Sequence, residues 1–155
     1  MKESFRINLK VPPPIVTLVF SGLMYALDLI YNFEFALMNQ LWLMVVLLII
    51  AFFLLFPALA QFYRQKTTVN PLKPETTKVL VIEGIYHYSR NPMYLGMAFI
   101  LLAWGAFLAN PLNIITFIGF ILYMNVFQIK LEEEALEKIF GEDFTQYKER
   151  VRRWV

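Results

Sequence analysis

The stretch NPMYLGMAFILLAWGAFLANPLNIITFIGFILYMNVFQI runs from Asn91 to Ile129 without a single charged residue. It is about twice the length one helix needs to cross a bilayer core of about 30 Å at 1.5 Å per residue. Asn110-Pro-Leu-Asn113 sits near its middle and supplies turn residues. The run therefore predicts a helical hairpin, with one arm near Met93–Ala109 and the other near Leu112–Ile129. Gly96, Gly105 and Gly119 would let backbones approach closely inside such a bundle.

Working outward, two more apolar runs precede the hairpin. Ile15 to Tyr31 is interrupted only by Asp28. It is long and no small-x-small site follows it, so it reads as a first span rather than a cleaved signal. Asn32 to Gln40 is a short polar link. Leu41 to Ala60 carries no charge and is long enough to span, with Pro57 near its end as a candidate kink. Tyr63, Arg64 and Lys66 mark an interfacial stop. Residues 64–92 form the one long polar connection, with turn signals at Asn70-Pro71 and Lys73-Pro74. Within it Val79-Leu-Val-Ile82 is too short to span and reads as an extended segment or a strip on the membrane surface.

After the hairpin, Leu131, Ala135, Leu136, Ile139 and Phe140 recur at helical spacing with Glu132, Glu133, Glu134, Glu137 and Lys138 between them. This is an amphipathic helix. Gly141 interrupts it, and Phe144, Tyr147 and Val151 resume the apolar stripe up to Arg150, Arg152, Arg153 and Trp154. The predicted fold class is thus an all-α integral membrane protein. It has about four transmembrane helices, a C-terminal helical hairpin and an amphipathic tail helix. A single membrane domain covers 1–155, with two N-terminal spans in 1–63 and a second half in 64–155. With four spans, all 14 Lys and Arg fall on one side, together with both termini. The positive-inside rule makes that side cytoplasmic.

Composition narrows the chemistry. Only 17% of the 155 residues are charged, against about 25% in soluble domains. A net charge of +2 gives no basic face for nucleic acid. With no cysteine and one histidine, thiolate chemistry, iron–sulfur clusters and a protein-held metal are not expected. The oligomeric state leaves no mark on the sequence.

Topology brings three features to one membrane face: the Gly84–Gly96 stretch, the Glu132-Glu133 pair and the basic tail. Each has a simpler reading. Arg90 is equally an interfacial anchor, and Tyr86, Tyr88 and Tyr94 can serve in an aromatic belt. Carboxylates at a helix start favour its positive dipole end. His87 at an interface is a packing residue more often than a base. Asp28 lies within a span, where an ionisable group is a functional candidate by default. Its place near the non-cytoplasmic end favours a structural role.

The pattern Gly84-x-Tyr86-x-x-x-Arg90-Asn91-Pro92-x-Tyr94-x-Gly96 resembles the signature of isoprenylcysteine carboxyl methyltransferases and related phospholipid methyltransferase-like membrane enzymes. So does Glu132-Glu133-x-x-Leu136-x-x-x-Phe140-Gly141-x-x-Phe144-x-x-Tyr147-x-x-x-Val151-x-Arg153. The resemblance covers about residues 78–155. It implies a multi-span enzyme that binds S-adenosylmethionine in a cytoplasmic pocket and methylates a lipid-like acceptor entering from the bilayer. By motif position, Tyr86, His87, Arg90, Asn91, Pro92, Tyr94 and Gly96 would line the cofactor pocket. Glu132 and Glu133 would hold the ribose hydroxyls or the ammonium. Arg153 would stand at the acceptor side, with Glu133 as the nearest base for a neutral amine or thiol. Many members of the family carry His in place of Asn91, Tyr in place of Phe144 and Pro in place of Arg152.

Methyl transfer from a sulfonium is an in-line displacement, so a protein contributes mainly alignment and exclusion of water. Two other readings share these features. One is a nicotinamide-dependent sterol-type reductase, which resembles the chain in its Arg-x-Pro-x-Tyr region. It is normally longer and more often carries Asp-Asp where this chain has Glu132-Glu133. The other is a non-enzymatic membrane scaffold on the same fold. Isoprenylcysteine carboxylates, phospholipid amines and thiols all remain open as acceptors.

Overall fold

A computed structural model describes residues 11–31, 39–65 and 79–155. The polar link at 32–38, the N-terminal residues 1–10 and the turn signals at 70–74 lie outside the described residues. Among the described residues six α-helices follow one another: α1 Pro13–Ile30, α2 Gln40–Arg64, α3 Pro92–Leu108, α4 Asn113–Tyr123, α5 Lys130–Phe140 and α6 Glu142–Arg150. A 3-10 turn at Gly84–His87 precedes α3, and a π-helical segment at Met124–Ile129 joins α4 to α5 without a break. No strand occurs among the described residues.

The helix ends follow local chemistry. Pro13 and Pro92 stand in the first turns of α1 and α3, where proline removes an N–H that has no intrahelical partner anyway. The hairpin appears close to its predicted bounds. Ala109 ends α3 in the left-handed region at φ 52°. Asn110, buried just beyond, caps the turn with both ends of its amide. Its Oδ1 accepts from the Leu112 N–H at 3.0 Å, and its Nδ2 donates to Tyr31 O at 2.8 Å and to Asp28 Oδ1 at 3.3 Å. Asp28 therefore ties α1 to the hairpin tip, as a structural role requires. Gly141, at φ 54°, breaks α5 from α6. Pro57 does not interrupt α2, which continues to Arg64.

Helix α3 is the spine. Trp104 Nε1 donates to Ser21 O at 3.1 Å, and Asn110 reaches Tyr31. α1 and α3 thus lie parallel, with nearly constant offset. On the opposite side α2 runs antiparallel. Gly96 faces Ala51 and Leu55, and Met93 packs beside Ala58. The main core joins α1, α3 and α4 through Val16, Met24, Ala98, Leu101, Phe120 and Met124.

Among the described residues three helical stretches are long and apolar enough to cross a membrane: Pro13–Ile30, Gln40–Arg64 and Asn113–Phe140. α3 has 17 residues against 18 in α1. Its register beside α1 means that the two cover the same thickness. α2 exposes Trp42, Phe52, Phe53 and Phe56, the side-chain distribution of a helix facing lipid rather than water. The Val79–Ile82 segment is not helical. It bridges two small clusters, with Leu80 against Phe144, Tyr147 and Val151, and Val81 against Ala58 and Tyr86.

A Cβ on Gly96 would lie 2.6 Å from Leu55 Cγ and 3.3 Å from the Ala51 carbonyl, whereas one on Gly105 would meet only Asn113 Cβ at 3.8 Å. Gly96→Ala is expected to destabilise the protein by about 1–3 kcal/mol through overpacking. Gly105→Ala should be neutral or slightly stabilising. Thermal melts of both variants in detergent check this, and equal behaviour of the two would contradict the α2–α3 packing.

Candidate functional site at the basic end of the bundle

The site begins with the turn before α3. Gly84 adopts φ +62°, a left-handed conformation that favours glycine, and a Cβ there would displace the flexible Gln61 side-chain amide of α2. The turn sends Tyr86 inward, 5% exposed, with its ring edge-on to Phe62 at 5.6 Å. The Tyr86 carbonyl accepts from the Tyr147 hydroxyl at 2.6 Å. Burial, the larger effect, pushes the Tyr147 phenol above its usual range, although Arg90 pulls the other way. It stays a protonated donor. Ser89, also buried, accepts from the Asn91 N–H at 3.2 Å.

The C-terminal residues close back on this turn. The Arg90 N–H donates to Arg152 O at 3.0 Å, and Asn91 Nδ2 donates to Arg153 O at 2.9 Å. Across from them, the two adjacent glutamates of α5 point in different directions, because successive helical residues are rotated by about 100°. Glu132 turns toward neutral donors. Its Oε1 accepts from the Tyr94 hydroxyl and, at 2.6 Å, from Gln128 Nε2. Glu133 turns toward cations. Arg153 grips it with Nε at 3.1 Å and Nη2 at 2.6 Å, and Arg90 Nη1 stands 3.1 Å from its Oε1. The side chains of Arg90 and Glu133 are each 12% exposed.

Several donors here are left over. The Tyr86 hydroxyl and Arg90 Nε and Nη1 are buried without a hydrogen-bond partner among the described residues. Arg90 Nη1 is close to Glu133, but its N–H is not aligned on the carboxylate, so the contact is an ion pair rather than a hydrogen bond. Burial, then the nearby Tyr147 and Glu132, push the Tyr86 phenol far above its usual range. It is therefore a neutral hydroxyl. A buried polar group without a partner costs about 1–3 kcal/mol. Orphaned donors beside carboxylates are what a polar ligand would satisfy.

The predicted residues are thus partly assembled. Tyr86, Arg90, Asn91, Tyr94, Glu132, Glu133 and Arg153 come together, with Pro92 buried at the start of α3. His87 does not join them; it is exposed and edge-on to Tyr88 at 5.6 Å. Gly96 faces α2 instead. Asn125 and Gln128 belong to the cluster but were hidden inside the charge-free run. Polar amides inside a predicted span were the available signal, since such groups are costly in lipid. The end of α2 also closes on the site through Gln61 and Phe62.

A family model described as phospholipid methyltransferase matches residues 39–143. The chain belongs to this family of isoprenylcysteine and phospholipid methyltransferase-like membrane proteins. An uncharacterised protein of Haemophilus influenzae is 49% identical over 63 residues, covering 41% of this chain and 100% of that protein. The protein-S-isoprenylcysteine O-methyltransferase of Saccharomyces cerevisiae is 34% identical over 79 residues, 51% of this chain and 33% of its own. Protein-S-isoprenylcysteine O-methyltransferase B of Arabidopsis thaliana is 30% identical over 88 residues, 57% of this chain and 45% of its own. The chain thus spans less than half the length of these two methyltransferases. No solved structure matches. The family match includes α2, whose residues carry only the pattern of a hydrophobic helix, and it stops before Arg153.

Glu133→Gln would leave the buried Arg90 guanidinium without a counter-charge, a change that costs about 3 kcal/mol or more. Glu137 pairs with Lys148 at 3.2 Å on the surface, where the side chains are 47% and 31% exposed. Glu137→Gln should change stability by less than about 1 kcal/mol. Denaturation of the two variants, side by side, measures the difference. Equal losses would contradict a buried clamp.

Proposed function

We propose that the chain is an S-adenosylmethionine-dependent membrane methyltransferase. Its acceptor is lipid-like or small and hydrophobic: an isoprenylcysteine-type carboxylate, a phospholipid amine or a thiol. The observation that carries this reading is the convergence of both motif halves on one cluster, where the Tyr86 hydroxyl near Glu132 and N–H groups of Arg90, ion-paired with Glu133, are buried without hydrogen-bond partners among the described residues. Such a set suits a zwitterionic nucleoside. Guanidinium N–H groups match a carboxylate, and carboxylates match hydroxyls or an ammonium.

When bound, the cofactor supplies an electrophilic methyl group on sulfur. The residues of the chain bind, orient and exclude water. Arg90 and Tyr86 offer the unpartnered donors. Glu132, held by Tyr94 and Gln128, offers its remaining oxygen as an acceptor. Arg153, 36% exposed, stands nearer the outside of the cluster, where a cation would orient an anionic acceptor. Glu133 already serves two guanidinium groups, so its first role is to fix them. Pro92 fixes the start of α3, and Gly96 lets α2 close beside the site. Asn91 holds the C-terminal residues through the Arg153 carbonyl.

The basic end is assigned to the cytoplasm. Among the described residues Arg64, Arg90, Lys130, Lys138, Lys148, Arg150, Arg152 and Arg153 lie where α2 ends, α3 starts and the tail follows. Asp28, Asn39 and Asn110 mark the other end. By the positive-inside rule that bias supports an orientation with both termini inside. The chain lacks cysteine, so single-cysteine variants report topology directly. In intact cells a membrane-impermeant maleimide should label Pro111→Cys, and Glu142→Cys only after permeabilisation. The reverse pattern would overturn the orientation.

The functional test is Tyr86→Phe. Without ligand this variant should be as stable as wild type or more so, since it deletes an unsatisfied hydroxyl. Its affinity for S-adenosylhomocysteine should fall by about tenfold, the scale of one lost hydrogen bond. Thermal melts with and without that ligand read both quantities. A wild-type protein that melts cooperatively with no ligand-induced shift would overturn the cofactor assignment.

A further inference from the structure

Four of the buried residues of the long helix Asn113–Phe140 recur every four positions: Thr116, Phe120, Met124 and Gln128, with Glu132 next in the series. In an α-helix each four-residue step overshoots a full turn by about 40°. A stripe at that interval soon drifts off its interface. The wider π turn at Met124–Ile129 absorbs the drift and keeps Gln128 and Glu132 facing inward, a use of π turns seen often at functional sites. The same turn carries Asn125. One carbonyl oxygen of its side chain takes two donors from the end of the chain: Trp154 Nε1 at 3.1 Å and Arg153 Nη1 at 3.5 Å.

Residues 151–155 are thus a strap fastened along two edges. Its backbone carbonyls at Arg152 and Arg153 accept from Arg90 and Asn91. Its side chains reach the long helix, Trp154 at Asn125 and Arg153 at both Asn125 and Glu133. We propose that Asn125 is the latch of this strap and a positioning residue for the site. It touches no ligand. It holds Trp154 and the Arg153 guanidinium in place, so that Arg153 shares Glu133 with Arg90. The consequence for ligand binding rests on the functional reading above; the latch itself does not.

The full chain in lipid nanodiscs, labelled with 5-fluorotryptophan, tests both parts. It has three tryptophans, and Trp154→Phe identifies the Trp154 fluorine resonance. Asn125→Leu removes the acceptor at similar volume, whereas Asn125→Asp keeps an acceptor oxygen. The Leu variant should shift and broaden the Trp154 resonance, leave the other two in place and weaken S-adenosylhomocysteine binding by about tenfold. The Asp variant should restore both. An unchanged Trp154 resonance in Asn125→Leu would overturn the latch, as would failure of Asn125→Asp to restore it. A shifted resonance with wild-type ligand affinity would overturn the positioning role. If wild type binds no nucleoside, the cofactor assignment fails, and the Trp154 resonances of the two variants still decide the latch.

Discussion

The site depends on one clamp: the Glu133 carboxylate held between the guanidinium groups of Arg90 and Arg153. The three residues come from the loop before α3, from α5 and from the end of the chain. Their meeting fixes the relative positions of three segments that are otherwise joined by an apolar hairpin. The charges are partly withdrawn from water, so each needs the other two. Removing one member of such a cluster costs more than the pair contributes, because it strands a buried charge. Around the clamp, hydrogen bonds repeat the same connections: Tyr147 to the Tyr86 carbonyl, Arg90 to the Arg152 carbonyl and Asn91 to the Arg153 carbonyl.

Glu132 and Glu133 show how one turn of helix separates two environments. Glu132 faces the bundle, where neutral donors from Tyr94 and Gln128 solvate it. Glu133 faces the loop and the tail, where cations do. Polar groups at the end of an apolar bundle are tolerated when they are satisfied, and the ones left unsatisfied carry the functional argument. The Tyr86 hydroxyl and Arg90 Nε and Nη1 have no hydrogen-bond partner among the described residues, although the Glu133 ion pair holds the guanidinium in place. Buried polar groups are nearly always satisfied in folded proteins, so these donors mark where a polar partner fits.

Much of this was legible in the residues. The uncharged run from Asn91 to Ile129 forces a hairpin, and Asn110-Pro111 places its turn. Gly141 announces the break between α5 and α6. The hairpin then brings Arg90 and Glu133 to one end by topology alone. The π segment was not legible, because Met124–Ile129 has the composition of any apolar helix. Asn125 and Gln128 were lost with it, although an amide inside a span is a signal in its own right. Gly96 was read both as a close-approach glycine of the bundle and as lining a pocket; it faces Leu55, the first of the two, because a glycine serves ligand approach and helix approach equally well. His87 shares the motif with Arg90, yet the 3-10 turn points it outward. Side-chain direction within a turn of that kind is set by neighbours from α2, which motif spacing does not encode.

The most direct measurement is a crystallographic or electron-microscopy map of the protein in lipid with S-adenosylhomocysteine. Ligand density is expected within hydrogen-bond reach of the Tyr86 hydroxyl, the Arg90 guanidinium and Glu132, with Glu133 still held by Arg153. Density elsewhere in the molecule, with those donors left unpartnered, would contradict it.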